Sequence, residues 1–322
     1  MTDPILQPAD PGPLLEVVRA EGLLVQAPGS SFGAQVFLAL RGRRHPVRSR
    51  EVVEAYGFRW PEDLRIVDER TVRTWRPGGP LPFPWRSAPD PDGITDPREM
   101  RELLGSTLSG SGVEVGASAS PFPVSPLCRV RYTDLFGIER IRANLPRDVP
   151  GGDAVEPELI TSMNELSGIP DGSLDFLIAS HVIEHTKDPI GAIRRAWEVL
   201  RPGGRLILVI PQADRTFDRD RPRTPLAHLL EDHRAPSADR DLDHYREFLR
   251  DVYAVPERAL EHTATDHQRR DEAIHFHVWD HPAWLGFIGE IQATLVPWSA
   301  SWSHAAVGEP PNGNEMVTVL VR

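Results

Sequence analysis

An open, mostly parallel α/β sheet covered by helices on both faces, preceded by a small mixed α/β module, is the fold class this sequence predicts. Three observations point there. Beyond Gly110, short apolar runs alternate with helix-patterned segments, as in a parallel sheet. Residues 169–211 hold one complete βαβ unit with matching caps. Residues 76–98 hold seven prolines and three glycines, a composition that excludes a long helix or a central strand. They read as a stiff linker between a module at 1–75 and a larger domain at 99–322.

In the module, VFLAL at 36–40 is a β-rich run. Arg41-Gly42-Arg43 suits a turn into a second short strand around Pro46 and Val47. Ser49 caps a short helix, REVVEAYG, that stops at Gly57. After the linker, Asp96 and Pro97 start a helix with Met100, Leu103 and Leu104 on one face. GVEVGASASP at 112–121 is a buried strand ending in a loop of small residues, and prolines 121, 123 and 126 oppose a long helix after it. CRVRYTD is a second strand closing on Asp134. Asp171-Gly172 makes a turn into the strand DFLIAS. Asp188 and Pro189 open a helix with Ile190, Ile193, Trp197 and Leu200 on its apolar face. Gly203 and Gly204 are expected to end that helix before the strand RLILVI. About 60 residues then separate Pro211 from an expected strand at 274–279. This insertion, at about 212–273, reads as a lid holding a charged loop at 214–224 and a helix capped by Thr224 and Pro225. A second lid helix carries Leu242, Tyr245, Leu249 and Val252 on one face.

Composition removes several function classes. The 322 residues carry a formal net charge of −11, which argues against broad binding to a nucleic-acid backbone. The basic run RGRRHPVRSR at 41–50 reads as a solvated hairpin and turn. Cys128 is the single cysteine, so an intramolecular disulfide is impossible and a cysteine-based zinc site is disfavoured. MTDPILQPAD lacks the pattern of a signal peptide, and no apolar run approaches a bilayer span. A cytoplasmic home, no membrane and no nucleic-acid partner are therefore expected, with the oligomeric state open.

The chemistry-bearing pattern begins at Glu114, inside the first strand of the larger domain. Gly116 permits the tight turn at the strand's carboxyl end, and Asp134 lies 20 positions after Glu114 at the end of the next strand. That is where open α/β sheets hold ribose hydroxyls, and a carboxylate accepts two of them at once. Further along, Asp175 to His185 reads D-x-x-x-x-x-H-x-x-E-H, LRPGG follows at 200–204, and the chain closes on GNEMVTVLVR. With RVRYTD, these residues resemble the class I S-adenosylmethionine-dependent methyltransferases of the type 11 group, over about residues 100–322.

The resemblance implies a Rossmann-like seven-stranded sheet and S-adenosylmethionine as the donor. It assigns Glu114, Gly116, Ala117 and Ser118 to the donor's methionine end and Asp134 to its ribose. Ser180, His181 and Glu184 fall to the cleft where the methyl moves. Ser118 stands where many members have a second glycine. Ser162 and Met163 stand where an acid contacts the adenine, so packing on Met163 takes that role. The donor has no phosphate and carries a cationic sulfonium, so a helix-poor loop containing an acid suits it better than a dinucleotide. The module at 1–75 resembles a short accessory module of bacterial glycan-related enzymes, through GRRHPV, AYGFRW and RIVDER, and implies a sugar or glycosylated natural product as the small-molecule acceptor.

An oxygen acceptor needs a base, and His181 is the candidate, weighed against a packing role beside the donor. His185 is expected to steady the turn into the following helix. Asp214, His275 and His277 are candidate acceptor-binding residues, with Glu184. His275 and His277, with Asp280, His281 and Asp214, also suit a divalent metal, although strand histidines two apart are more often simple lid contacts, and no metal is assigned. The arginines of 214–224 are expected to pair with their acidic neighbours at the surface; facing inward, they would favour an anionic acceptor. Two alternatives stay open: a degenerate donor fold serving as a scaffold in a biosynthetic complex, and a nicotinamide-dependent oxidoreductase.

Overall fold

The computed structural model describes residues 3–145, 154–305, 308 and 313–322. The chain divides into two compact units. The first comprises Met1–Ile94, Arg98–Thr161 and Leu174–Ile178. The second comprises Thr95–Pro97, Ser162–Ser173 and Ala179–Arg322.

The first unit opens with α1 (Gly12–Glu21), β1 (Leu23–Gln26), β2 (Val36–Leu40), β3 (Arg43–Val47), α2 (Arg50–Ala55), β4 (Arg65–Ile66), α3 (Glu69–Arg73) and β5 (Arg76–Pro77). Its strands form a five-stranded sheet in the order β4-β1-β2-β3-β5. The segment read as a linker thus supplies the last strand, pairing Arg76 and Pro77 with Arg43 and Arg44. Leu14, Val18, Leu24, Leu38, Val52 and Tyr56 make the core of this part. The Tyr56 hydroxyl donates to the carbonyl of Pro82 at 2.8 Å, which satisfies its one polar atom inside that core. Ser49 caps α2 through Val52 N, as its sequence position predicts.

The basic run at 41–50 is not a solvated turn. Arg44 and His45 are buried, because β3 is an inner strand of the sheet. The Arg44 guanidinium lies over the Phe32 ring at 5.1 Å and donates to the carbonyl of Trp75 at 2.6 Å.

There follow α4 (Pro97–Ser106), β6 (Ser111–Val115), β7 (Arg129–Asp134), α5 (Ile138–Asn144), β8 (Leu159–Ile160), β9 (Leu174–Ser180), α6 (Pro189–Val199) and β10 (Leu200–Pro211). The insertion after β10 carries α7 (Leu226–Arg234), α8 (Ala238–Asp251) and α9 (Glu257–Arg270). The chain ends with α10 (His281–Thr294), β11 (Ala300–His304) and β12 (Glu315–Val321). The larger sheet has seven strands in the order β11-β12-β10-β9-β6-β7-β8. β6, β7 and β8 run parallel, whereas β12 is antiparallel to β10 and β11. The Rossmann-like sheet is therefore as expected, and its order reverses between β6 and β9, the switch at which such sheets bind ligands.

Met100, Leu103 and Leu104 are buried on α4, and Asp188 caps α6 by accepting from Gly191 N at 2.8 Å. Three local readings are corrected. α6 ends at Val199 and Leu200 is already extended, so Arg201 to Gly204 belong to β10, with Gly203 at φ +78° absorbing the turn. Residues 274–280 form no ladder; their backbone instead bonds to Glu184, Thr224 and Ala213. Thr224 does not cap α7, because its hydroxyl accepts from Val278 N at 2.9 Å. In α8, Tyr245 and Leu249 are buried, with Leu242 and Val252 packed beside them, as the periodicity predicts.

Candidate functional site

In the first unit, β6 carries Glu114 into the protein, where it is 1% exposed. Its two carboxyl oxygens accept from Phe122 N at 2.8 and 3.1 Å. The side chain thus bonds to the loop that follows its own strand. Burial pushes its carboxyl up to about 8, against the Phe122 hydrogen bond and the Arg101 charge, which act the other way. An unfolded glutamate ionises near its ordinary value, so this group favours the folded state below about 4.5 and that contribution is lost as pH rises through about 8. Glu114→Gln keeps the acceptor for Phe122 and removes the titration. Thermal unfolding from pH 5 to 9 is expected to show less loss of stability toward alkaline pH in the variant; parallel curves would refute a buried, titrating Glu114.

The loop after β6 forms no helix, as its prolines predict. Gly116 sits at φ +70°, a conformation that favours glycine, and its N–H donates to Thr133 O at 2.8 Å. Ser118 also has positive φ, at +49°, and its carbonyl accepts from Val155 N at 2.8 Å, while the Ala117 carbonyl accepts from Ser120 N at 2.9 Å. The path of 121–124 depends on close approaches: a Cβ at Gly79 would stand 2.0 Å from the Phe122 carbonyl oxygen, and one at Gly105 would stand 1.7 Å from that of Pro123. Asp134 closes β7, half-buried, accepting from Phe136 N at 2.9 Å. Burial raises its pKa, with the hydrogen bonds of Phe136 and Leu135 opposing. A carboxylate at a strand's carboxyl end, only partly enclosed, meets the requirement for a ribose partner.

A cavity of about 460 Å³ in this unit is lined by Tyr56, Phe83, Trp85, Leu108, Gly110 and Cys128, among others. Gly110 and Cys128 immediately precede β6 and β7, so the cavity lies at the amino ends of these strands, opposite the edge where such sheets bind ligands.

In the second unit, Met163 is 2% exposed and Ser180 ends β9 half-buried. His181 follows at φ +53°, a left-handed conformation uncommon for a non-glycine residue, fixed by its N–H donating to Val209 O at 2.9 Å. Its ring lies between two carboxylates. Nε2 is 2.9 Å from Glu315 Oε1, and Nδ1 is 3.3 Å from Glu184 Oε1. Glu184 is fully buried, with Oε1 turned toward His181.

Burial pulls the His181 pKa down, but the hydrogen bonds and charges of Glu184 and Glu315 outweigh it and raise it to about 9. Burial likewise opposes ionisation of Glu184, yet His181, His185 and His275 hold its pKa below the usual value. Both acidic neighbours thus favour the imidazolium form of His181. Held between two acidic side chains, His181 keeps its predicted place directly after β9. Glu315 was not singled out from sequence: it lies 134 residues away, and only the pairing of β12 with β10, Glu315 opposite Pro211, brings it here. His185 donates through Nδ1 to Ile274 O at 2.8 Å and so ties the lid segment rather than the turn into α6.

His275 and His277 do not share a site. His275 Nδ1 meets Asp218 Oδ2 at 2.6 Å, whereas His277 Nε2 meets Asp232 Oδ2 at 3.1 Å. Burial draws the His277 pKa down to about 4. Asp214 is exposed and accepts from Gln212, Asp280 caps α10 through Ala283 N, and His281 meets Ser303. The metal grouping of these residues read from sequence is therefore not assembled. The Asp/Arg loop is only in part a set of surface pairs: Arg219 and Asp220 lie exposed 3.9 Å apart, but Asp218 and Arg221 are both 2% exposed and bond at 2.8 Å. Arg221 does face inward, but Asp218 and Glu247 neutralise it.

Residues 127–208 match the family described as "Methyltransferase domain". Among curated proteins, the chain is 26% identical over 147 residues to the ubiquinone biosynthesis O-methyltransferase of Xanthomonas oryzae pv. oryzae, covering 45% of this chain and 53% of that one. It is 37% identical over 112 residues to an uncharacterised 37.1 kDa protein in transposon TN4556 of Streptomyces fradiae, covering 33% and 29%. The aligned regions thus span about half, or less, of these relatives' lengths. Among solved structures, a SAM-dependent methyltransferase from Thermotoga maritima aligns with TM-score 0.36 and 14% identity, over 66% of this chain and 83% of that one. A methyltransferase from Bacillus halodurans aligns at 0.35 and 12%, over 70% and 96%.

Proposed function

We propose that this chain, which carries a class I S-adenosylmethionine-dependent methyltransferase domain, methylates an oxygen on a small molecule of the sugar or glycosylated natural-product kind. When bound, the donor supplies an electrophilic methyl group on a sulfonium cation. The observation that carries the donor reading is Asp134, a half-buried carboxylate closing the second strand after a glycine turn inside the matched family region. Asp134 would hold the ribose hydroxyls, the backbone of Gly116, Ala117 and Ser118 the methionine end, and Met163 the adenine face. Glu114 acts through the loop it organises.

Ser180 and His181 would line the methyl-transfer cleft. The acidic side chains of Glu184 and Glu315 beside His181 disfavour an anionic acceptor and suit a hydroxyl beside a cationic donor. Glu315, 15% exposed at its side chain, accepts the hydroxyl's hydrogen bond in this reading and takes its proton as the methyl group arrives, with His181 holding it in place. Exposed Asp214 is open to the acceptor in this reading, whereas His275 and His277 are buried against Asp218 and Asp232. The lid sets the acceptor's shape. Among the described residues no helix is long and apolar enough to cross a membrane.

Calorimetric titration with S-adenosylhomocysteine tests the donor site. Saturable binding is expected for the native chain, with no heat from NADH. Asp134→Ala should weaken it by roughly 10- to 100-fold, the loss of a charged hydrogen-bond partner. A folded chain that binds neither ligand would overturn the reading and favour a scaffold. Binding of NADH alone would favour an oxidoreductase.

A further inference from the structure

We infer that the lid holds a structural zinc ion, bound by His228, Asp232, His244 and His277. The four residues come from three places in the second unit: α7 supplies His228 and Asp232 one turn apart, α8 supplies His244, and the extended segment before α10 supplies His277. Their ligand atoms converge. Asp232 Oδ2 lies 3.1 Å from Nε2 of His228, 3.4 Å from Nε2 of His244 and 3.1 Å from Nε2 of His277. His228 Nε2 and His244 Nε2 are 3.4 Å apart. Nitrogen and oxygen ligands about 2.0–2.1 Å from a tetrahedral zinc stand roughly 3.3–3.4 Å from one another. Four of the six edges, at 3.1–3.4 Å, thus approach those of that coordination, and all the ligand atoms lie within 4.8 Å of one another.

The outer contacts set the same polarity. His244 Nδ1 donates to the carbonyl of Phe276 at 3.0 Å, and His277 Nδ1 donates to that of Thr186 at 3.1 Å. A carbonyl only accepts, so each neutral ring turns an Nε2 lone pair toward the centre. There they face each other's neighbours and a carboxylate oxygen, an arrangement of like polarity that a cation at the centre resolves. Arg240 binds the other Asp232 oxygen at 2.7 Å, which aims Oδ2 inward. Asp232, His244 and His277 are 4%, 3% and 1% exposed, so the polar centre is closed to bulk water on three sides. Half-buried His228 leaves one side for the ion to enter.

Three imidazoles and one carboxylate suit zinc, and four protein ligands leave no position for substrate, the mark of a structural site. Its consequence is mechanical. The ion would pin α7 and α8 to the segment whose Phe276 N–H donates to Glu184 O at 2.8 Å, next to the carboxylate that pairs with His181. His228, Asp232 and His244 escaped the sequence reading because they fall in the insertion, where the H-x-x-x-D spacing of α7 was the available signal.

The test uses the full chain, stripped with a chelator and titrated with Zn²⁺ and Co²⁺. Expected are one zinc per chain by elemental analysis, a rise in Tm on adding zinc, and the strong visible bands of four-coordinate Co²⁺. His228→Ala, at the half-exposed ligand, should fold and lose about 100-fold or more in zinc affinity. Arg240→Met, which touches no metal, should lose roughly 10- to 100-fold. His185→Ala should bind as the native chain does, separating this site from the nearby grouping of Glu184, His185 and His275. A folded native chain that binds no zinc overturns the proposal. So does equal binding in the native chain and His228→Ala, loss of binding in His185→Ala alone, or the weak spectrum of octahedral Co²⁺.

Discussion

Asp218→Ala should destabilise the chain by about 3–5 kcal/mol, the cost of breaking a buried ion pair from one side. Asp218 is the hub of the lid's interior. Its Oδ1 accepts from Arg221 at 2.8 Å and its Oδ2 from His275 Nδ1 at 2.6 Å. The Arg221 side chain has no exposure, and it sits against Phe248 while also donating to His275 O and Glu247. Removing Asp218 leaves that guanidinium with Glu247 as its remaining carboxylate in these contacts and orphans the His275 ring. Urea unfolding of the native chain and the variant measures the difference at unchanged slope. A loss below about 1 kcal/mol would place this pair among exposed, weakly coupled ones. Arg223→Ala, at a partly exposed pair with Asp280, serves as the contrast and should cost no more than about 1 kcal/mol.

Gly105→Ala should cost about 3 kcal/mol and weaken donor binding with it. In an open helix the same change helps, since alanine favours the helix by about 1 kcal/mol. In α4 the sign reverses. The added Cβ would lie 1.7 Å from the Pro123 carbonyl oxygen and 2.8 Å from its carbon, and both are backbone atoms that cannot swing aside. Either α4 or the loop at 121–124 must move, and that loop carries the Phe122 N–H that Glu114 holds. Gly286→Ala in α10 is the control, for nothing lies within 4 Å of its added Cβ. It should be neutral or stabilising by up to about 1 kcal/mol. Denaturant midpoints for both variants, with S-adenosylhomocysteine affinity for Gly105→Ala, decide the matter. Equal behaviour of the two alanines would show that the close approach at Gly105 is not real.

These two sites share a cause with the zinc cluster and the His181 trio: each depends on groups far apart in the chain. His181 and Glu315 are 134 residues apart, Asp218 and His275 are 57, and Asp232 and His277 are 45. Pairing at such separations is set by which strands neighbour each other and how the lid folds back.

What the sequence by itself determined is the part governed by local physics. Apolar periods of two and of three to four residues placed β6, β7, β9, α4 and α6. Asp188 and Pro189 set the start of α6, and the prolines after Gly116 forbade a helix there, because caps and fixed φ angles act within a few residues. Asp134 was legible for the same reason, as an acid at a strand's end at a set distance from a glycine turn. Only the tertiary structure decided the direction and charge of the side chains. Glu114 lies in its predicted strand but binds Phe122 N, because the loop returns over it across Gly79 and Gly105. His181 lies where expected, yet Glu184 and Glu315, from different elements, raise its pKa. His275 and His277, two residues apart, part to Asp218 and Asp232. A pattern along the chain specifies what a residue can bond; the neighbours that burial gathers around it decide what it does bond, and with what charge.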